Sequence, residues 1–257
     1  MSTGKRSEMA TSFGRAAGSY EAGRPGYPAA VVRWMLQPAV AASTGRVRVA
    51  DVGAGTGKLT RALLGADAGA PIDVLAIDPD ARMLEALAAS IPGVPTAVGT
   101  AERLPLADGS VDAIVLGQAW HWVDPEAGAV EIARVLRPGG VLGLVWNIRD
   151  AQVPWVARMT EIMHRSNAEA LLEQGGPRVP APFIGLERVS VAWSRPMTAD
   201  ALMEMARSRS YLITAPADER ARIETELRAF VDALPELRDG GAIELLYRTH
   251  AFRTVRP

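Results

Sequence analysis

Three glycines at alternate positions, Gly53, Gly55 and Gly57, stand between the apolar run Val47 to Val52 and a stretch from Lys58 with helical spacing. Such a loop brings backbone N–H groups close to a ligand, because glycine has no Cβ to block the approach and the following helix aims its free amides at the same spot. Two carboxylates flank it. Asp51 lies within the first apolar run, and Asp78 closes the second, Ile72 to Ile77. An acidic residue about twenty positions beyond the loop can accept both hydroxyls of a ribose. The combination points to a nucleoside ligand, and taken alone it suits dinucleotide enzymes as well as others.

Further segments narrow the chemistry. Gly99-Thr100-Ala101-Glu102-Arg103-Leu104-Pro105 leads through Asp108-Gly109-Ser110 into the apolar run Val111 to Leu116, and Gln118-Ala119-Trp120-His121-Trp122 follows. Arg134-Val135-Leu136-Arg137-Pro138-Gly139-Gly140 precedes another apolar run, Val141 to Trp146. In this order the motifs resemble class I S-adenosylmethionine-dependent methyltransferases of the branch with small-molecule acceptors, over roughly Phe13 to Asn147. The resemblance implies S-adenosyl-L-methionine as cofactor and methyl transfer to a small molecule as the reaction. It implies that Gly53, Ala54, Gly55 and Gly57 cradle the methionine portion and ribose, with Asp51 orienting the ammonium group. Asp78 and Pro79 would take the ribose, Ala101 and Glu102 the adenine, and Gln118 and Trp122 the methionine and sulfonium side. Tyr20 to Pro28 resembles an arm that folds over the cofactor in one subgroup, which would bring Tyr20 and Arg24 near the methionine carboxylate.

Local chemistry leaves alternatives open. Asp51 could satisfy the amides of its own loop, Asp78 could cap a helix beginning at Pro79, and Glu102 could pair with Arg103 or Arg61. His121 suits a base that removes a proton from the acceptor, or equally a hydrogen-bonding residue between Trp120 and Trp122 that shapes the pocket. Displacement at a sulfonium needs alignment above all, and no base when the acceptor is already ionised. Trp120, Asn147 and Arg149 fall on the acceptor side. The planar fork of Arg149 suits an anionic substrate, a carboxylate for example, or an ion pair with Asp150 or a neighbouring helix. Two rival functions share part of this pattern. A binder of the cofactor without turnover needs no base, whereas an NAD-dependent oxidoreductase leaves the Ala101-Glu102 and Arg134-to-Gly140 segments unexplained.

These residues need a scaffold, and the hydrophobic pattern supplies one. Apolar runs at Val47–Val52, Ile72–Ile77, Val94–Val98, Val111–Leu116 and Val141–Trp146 alternate with helical stretches after Pro28, from Lys58 to about Leu64, around Met83 to Leu87, and from Glu126 to Leu136. Strands alternating with helices make a parallel sheet with right-handed crossovers, and ligands bind at the carboxyl ends of its strands. Asp78, Glu102, Gln118 and the glycine loop all fall there. Beyond Asn147, Val153–Leu172 and Pro216–Leu234 have helical spacing, while Leu186–Trp193 and Ala242–Phe252 alternate like strands. With the resemblance, the expectation is an α/β Rossmann-like sheet of seven mostly parallel strands, helices on both faces and a C-terminal helical lid insertion. A disordered tail (1–12) would precede a single domain (13–257), with its core at about 29–147, a substrate and lid region at about 148–240 and a last strand at about 242–253.

Composition limits the partners. The 257 residues carry a net charge of −1, so no basic field calls for nucleic acid. There is no cysteine, which excludes disulfides, thiolate metal sites and a cysteine nucleophile. Asp108, Asp112 and Asp124 have turn positions rather than a shared metal-ligand spacing. No apolar run approaches the length of a membrane span, and the first residues are polar, so a cytoplasmic location is the expectation. Oligomeric state has no signature.

Overall fold

The computed structural model describes residues 25–257, and Phe13, Tyr20 and Arg24 lie outside the described residues. Helix α1 (Ala29–Ala41) starts behind Pro28 and buries Val31, Val32, Met35, Leu36 and Ala39 on one stripe. It runs straight through Pro38, which has no N–H to give the carbonyl of Trp34. Arg253 makes up the loss: its Nη1 donates to that carbonyl at 2.6 Å, and its guanidinium lies 4.4 Å over the Trp34 ring.

The chain continues as β1 (Val47–Val52), α2 (Lys58–Gly65), β2 (Ile72–Asp78), α3 (Ala81–Ser90), β3 (Thr96–Val98), β4 (Val111–Gly117), α4 (Pro125–Val135) and β5 (Leu136–Arg149). Then come α5 (Pro154–Ile162), α6 (Asn167–Glu173), β6 (Ile184–Met197), α7 (Ala199–Arg207), α8 (Ser210–Thr214), α9 (Ala217–Ala233) and β7 (Ile243–Val255). The strands form one sheet of order β3-β2-β1-β4-β5-β7-β6. The first five are parallel, and β7 is antiparallel between β5 and β6. Chain order turns back at β1, whose neighbours are β2 and β4. In a doubly wound sheet the crevice at such a reversal, at the carboxyl ends, is where ligands bind.

Apolar side chains cover both faces. Val49, Val115, Val141 and Val145 pack with α1 and Leu63 on one face, while Ile114, Leu142, Leu144 and Trp146 pack with Ile132 and Trp120 on the other. A third cluster joins α5, α7 and α9 to Leu245 and Tyr247 of β7, so these helices have their own core.

Several elements differ from the sequence pattern. β3 shrinks to three residues with two of them exposed, because it is the edge strand and needs no continuous apolar run. Pro138-Gly139-Gly140 is no turn between elements. It forms a bulge inside β5, whose pairing with β7 then extends unbroken from Val141 to Arg149. The helical stretch Val153–Leu172 breaks in two where His164 takes φ 58° and Ser166 and Glu169 form a capping box that starts α6. α7, opened by the Thr198 side chain, and α8 lie where no helix was expected.

Candidate active site

The three glycines have φ of +71°, +54° and +91°, a region open to glycine and costly to residues with a Cβ. Space is short as well. A Cβ on Gly53 would stand 2.7 Å from that of Ala119, and one on Gly57 would stand 2.8 Å from Ile91 Cδ1. The loop therefore lies tight against its surroundings, and its amides are taken within the fold: those of Gly53 and Ala54 donate to the Ile77 carbonyl at 2.8 and 3.0 Å, that of Gly55 to Asp78, and that of Gly57 to the Ala54 carbonyl, so the free-amide cradle expected from the sequence is not what these glycines form.

Carboxylates crowd this loop. Asp51, at zero exposure, accepts from Thr60 Oγ1 at 2.6 Å through one oxygen, and its Oδ1 has no hydrogen-bond partner among the described residues. Asp78, also buried, accepts the Gly55 amide at 2.8 Å with Oδ2 and the Asp80 amide at 2.9 Å with Oδ1. Burial pushes the Asp51 carboxyl up to about 7 against the pull of the Thr60 bond, and nearby Asp78 adds to the rise. Burial likewise raises Asp78, opposed by the two amides. Neither carboxylate forms an ion pair within the described residues. Buried negative charge without a cation is costly, so the arrangement suits a positively charged ligand. It is a poor host for a pyrophosphate.

A cavity of about 430 Å³, counting its open mouth, lies against the loop. Gly53, Ala54, Gln118 and Asn147 line it with Tyr27, Thr56 and Lys58. Gln118 carries φ 57°, unusual outside glycine, and is held there by its amide on the Val145 carbonyl (2.8 Å) and its Nε2 on the Asn147 carbonyl (2.9 Å). Strained backbone at a cavity wall is a recurrent feature of functional sites. The side chain of Asn147 is committed elsewhere, donating to the Gly26 carbonyl at 2.9 Å and accepting from Thr249 Oγ1 at 2.6 Å.

Other residues singled out in the sequence occupy more structural positions. Asp80 rather than Asp78 caps α3, through the amide of Arg82, so Pro79 precedes the helix instead of opening it. Ala101 is buried, and Glu102 accepts the Asp124 amide at 2.8 Å rather than meeting an arginine there. Trp120 is 3% exposed, packs in the core and donates its indole N–H to the Arg178 carbonyl, which takes it out of the cavity wall. His121 accepts at Nδ1 from Trp146 Nε1 at 3.4 Å, with the Trp122 ring 4.8 Å away.

Arg149 is buried, and the neighbouring helix claims it. Its Nη2 bonds Glu169 of α6 at 3.0 Å and Thr160 of α5 at 3.3 Å, and Arg209 pairs with the same glutamate at 3.3 Å. Asp150 pairs instead with Arg248. These arginines hold the Glu169 carboxyl below the usual range even though burial works against them.

Sequence patterns missed Thr60, whose hydroxyl donates to Asp51. Thr60 had a signal: it lies on the first turn of the helix that leaves the loop, facing back to the strand. Tyr27 belongs to the Tyr20-to-Pro28 segment, whose aromatics can also serve to anchor it to the domain, and the Tyr27 hydroxyl closes on Gly117 as an anchor would.

The doubly wound sheet with an anionic glycine loop at its switch point defines an α/β protein for a cationic nucleoside ligand, and comparison with known proteins makes the class definite. Residues 50–144 match the family described as Methyltransferase domain. An uncharacterised methyltransferase of Mycobacterium tuberculosis is 43% identical over 253 residues, covering 98% of this chain and 99% of its own length. One from Schizosaccharomyces pombe is 32% identical, covering 92% of each chain. Among solved structures, a proposed type II methyltransferase from Anaeromyxobacter dehalogenans superposes with a TM-score of 0.56 at 24% identity, over 90% of this chain and 97% of its own, which speaks for the fold. The chain belongs to the class I S-adenosylmethionine-dependent methyltransferases.

Proposed function

We propose that this protein transfers the methyl group of S-adenosylmethionine to a small-molecule acceptor by direct displacement, and does so in the cytoplasm. The observation that supports the site assignment is the unpartnered, fully buried oxygen of Asp51 beside the left-handed glycines. A cationic ammonium group is the partner such an oxygen lacks. When bound, the cofactor supplies an electrophilic methyl on a sulfonium.

The chain's own residues bind and align. Asp51 orients the ammonium group, the loop from Gly53 to Gly57 lets the methionine portion lie close against its backbone, and Asp78 with Pro79 takes the ribose. Asp78 holds the Gly55 amide at the same time, so sugar and loop are fixed by one carboxylate. The Ala101 amide and the second oxygen of Glu102 recognise adenine, the first being occupied by Asp124. Gln118 and Trp122 border the reacting end. His121, held by the Trp146 indole, shapes the acceptor side with Asn147 and leaves the base to an acceptor that ionises by itself, a carboxylate or an acidic hydroxyl. Arg149 supports the lid through Glu169 instead of meeting the substrate.

Incubation with methyl-labelled cofactor and fractionated metabolite extract tests this. Labelled small-molecule product with equivalent S-adenosylhomocysteine is expected. Tight S-adenosylhomocysteine binding with no labelled product from any fraction would make the chain a cofactor-binding protein without turnover.

A further inference from the structure

The segment from Gly99 to Ser110 carries Ala101 and Glu102, and its only bridge joins Thr100 to Arg103. Irregular backbone must find partners for its N–H and C=O groups outside a ladder. Backbone partners serve the ends of the segment, Gly99 on Asp78 and Gly109 and Ser110 on Arg134 and Val135, while its middle, Leu104 to Leu106, is held by two side chains one turn apart on α4. Glu131 Oε1 accepts the Leu104 amide at 2.7 Å. Arg134 Nη1 donates to the Leu106 carbonyl at 2.9 Å and to Asp108 Oδ1 at 2.6 Å, while Nη2 reaches the Leu104 carbonyl at 3.4 Å.

The two residues also grip each other in a fork, Nε to Oε2 and Nη2 to Oε1, both at 2.8 Å. Each favours the charged form of its partner: Arg134 draws the Glu131 carboxyl below its usual range, and Glu131 raises the guanidinium. The other end of α4 holds the same segment, since the amide of Asp124, its capping residue, donates to Glu102. α4 thus straps the loop at two places, at Glu102 and at Leu104 to Asp108, with Ala101 directly before the first fastening.

We infer that Glu131 and Arg134 are positioning residues for the purine end of the cofactor. Their fork sets the path of Leu104 to Leu106, and through it the places of the Ala101 amide and the Glu102 carboxyl. This rests on the adenine assignment made above. Arginine is required, because three nitrogens of one planar group serve two carboxylates and two carbonyls, a geometry that a lysine ammonium cannot match. A displaced loop should cost discrimination of the purine more than grip on the rest of the ligand.

Calorimetry on the full chain with S-adenosylhomocysteine and S-inosylhomocysteine, which lacks the exocyclic amine, reads that discrimination directly. The unaltered protein is expected to favour the adenosyl form. Arg134→Lys and Glu131→Gln should each cut this preference by about fivefold or more, the scale of one misplaced hydrogen bond. Asp78→Ala should weaken both ligands by the same factor and leave the preference intact. A fall in melting temperature or in overall affinity with the preference unchanged in both Arg134→Lys and Glu131→Gln would overturn the inference. No preference in the unaltered protein would instead remove the adenine assignment beneath it.

Discussion

Asp51 makes cofactor binding pH-dependent. In the free protein its carboxyl is pushed up to about 7, chiefly by burial, so it is mostly neutral at pH 6 and mostly ionised at pH 8. If the bound state requires the carboxylate, affinity follows the ionised fraction, which rises about tenfold over that interval, worth about 1.4 kcal/mol. S-adenosylhomocysteine binding by calorimetry should therefore tighten about tenfold between pH 6 and 8. Asp51→Asn should bind weakly and with a flat profile. The same group acts on stability with the opposite sign. A folded-state value above the unfolded one means that the folded chain holds the proton longer, so the free protein loses stability as pH rises from about 4 to about 7. The full difference, from 3.8 to about 7, corresponds to roughly 4 kcal/mol. Asp51→Asn, which keeps the shape and cannot ionise, should melt higher than the unaltered protein at pH 8 while binding less ligand. Ligand affinity that is flat with pH, or a slope that survives in Asp51→Asn, would refute the reasoning.

Other perturbations follow from the same geometry. Asp78→Ala strands the buried amides of Gly55 and Asp80, so it should cost about 2 kcal/mol in urea unfolding and weaken S-adenosylhomocysteine at least tenfold. Glu169→Gln leaves Arg149 and Arg209 facing each other without their counter-ion, which should destabilise the chain by about 3 kcal/mol or more and lower Tm by roughly 6–12 °C. The double change Arg149→Met with Glu169→Leu should melt higher than Glu169→Gln, because the more deeply buried arginine goes together with its counter-ion and only the more exposed Arg209 loses a partner.

The sequence by itself determined most of the sheet and where the glycine loop and its acidic neighbours stand on it. Hydrophobic period and glycine spacing are local properties. They placed β1 at Val47–Val52 and β2 from Ile72 as observed, and they brought the glycine loop, Asp78 and Gln118 to the carboxyl edge. The order of the motifs, through their resemblance to a known family, made the class of chemistry legible. Tertiary structure decided what each polar side chain touches. Arg149 reads equally well as a substrate ligand or an ion-pair partner until α6 brings Glu169 to it across the lid. Trp120 looks like pocket wall until the backbone carbonyl of Arg178, far along the chain, accepts a hydrogen bond from its indole N–H. Pro38 ought to end α1, and only the return of β7, carrying Arg253, supplies the missing donor. Periodicity records which way a residue faces along its own element, whereas a hydrogen bond also depends on which distant element arrives opposite it, and that is set by the packing of the whole sheet and its lid.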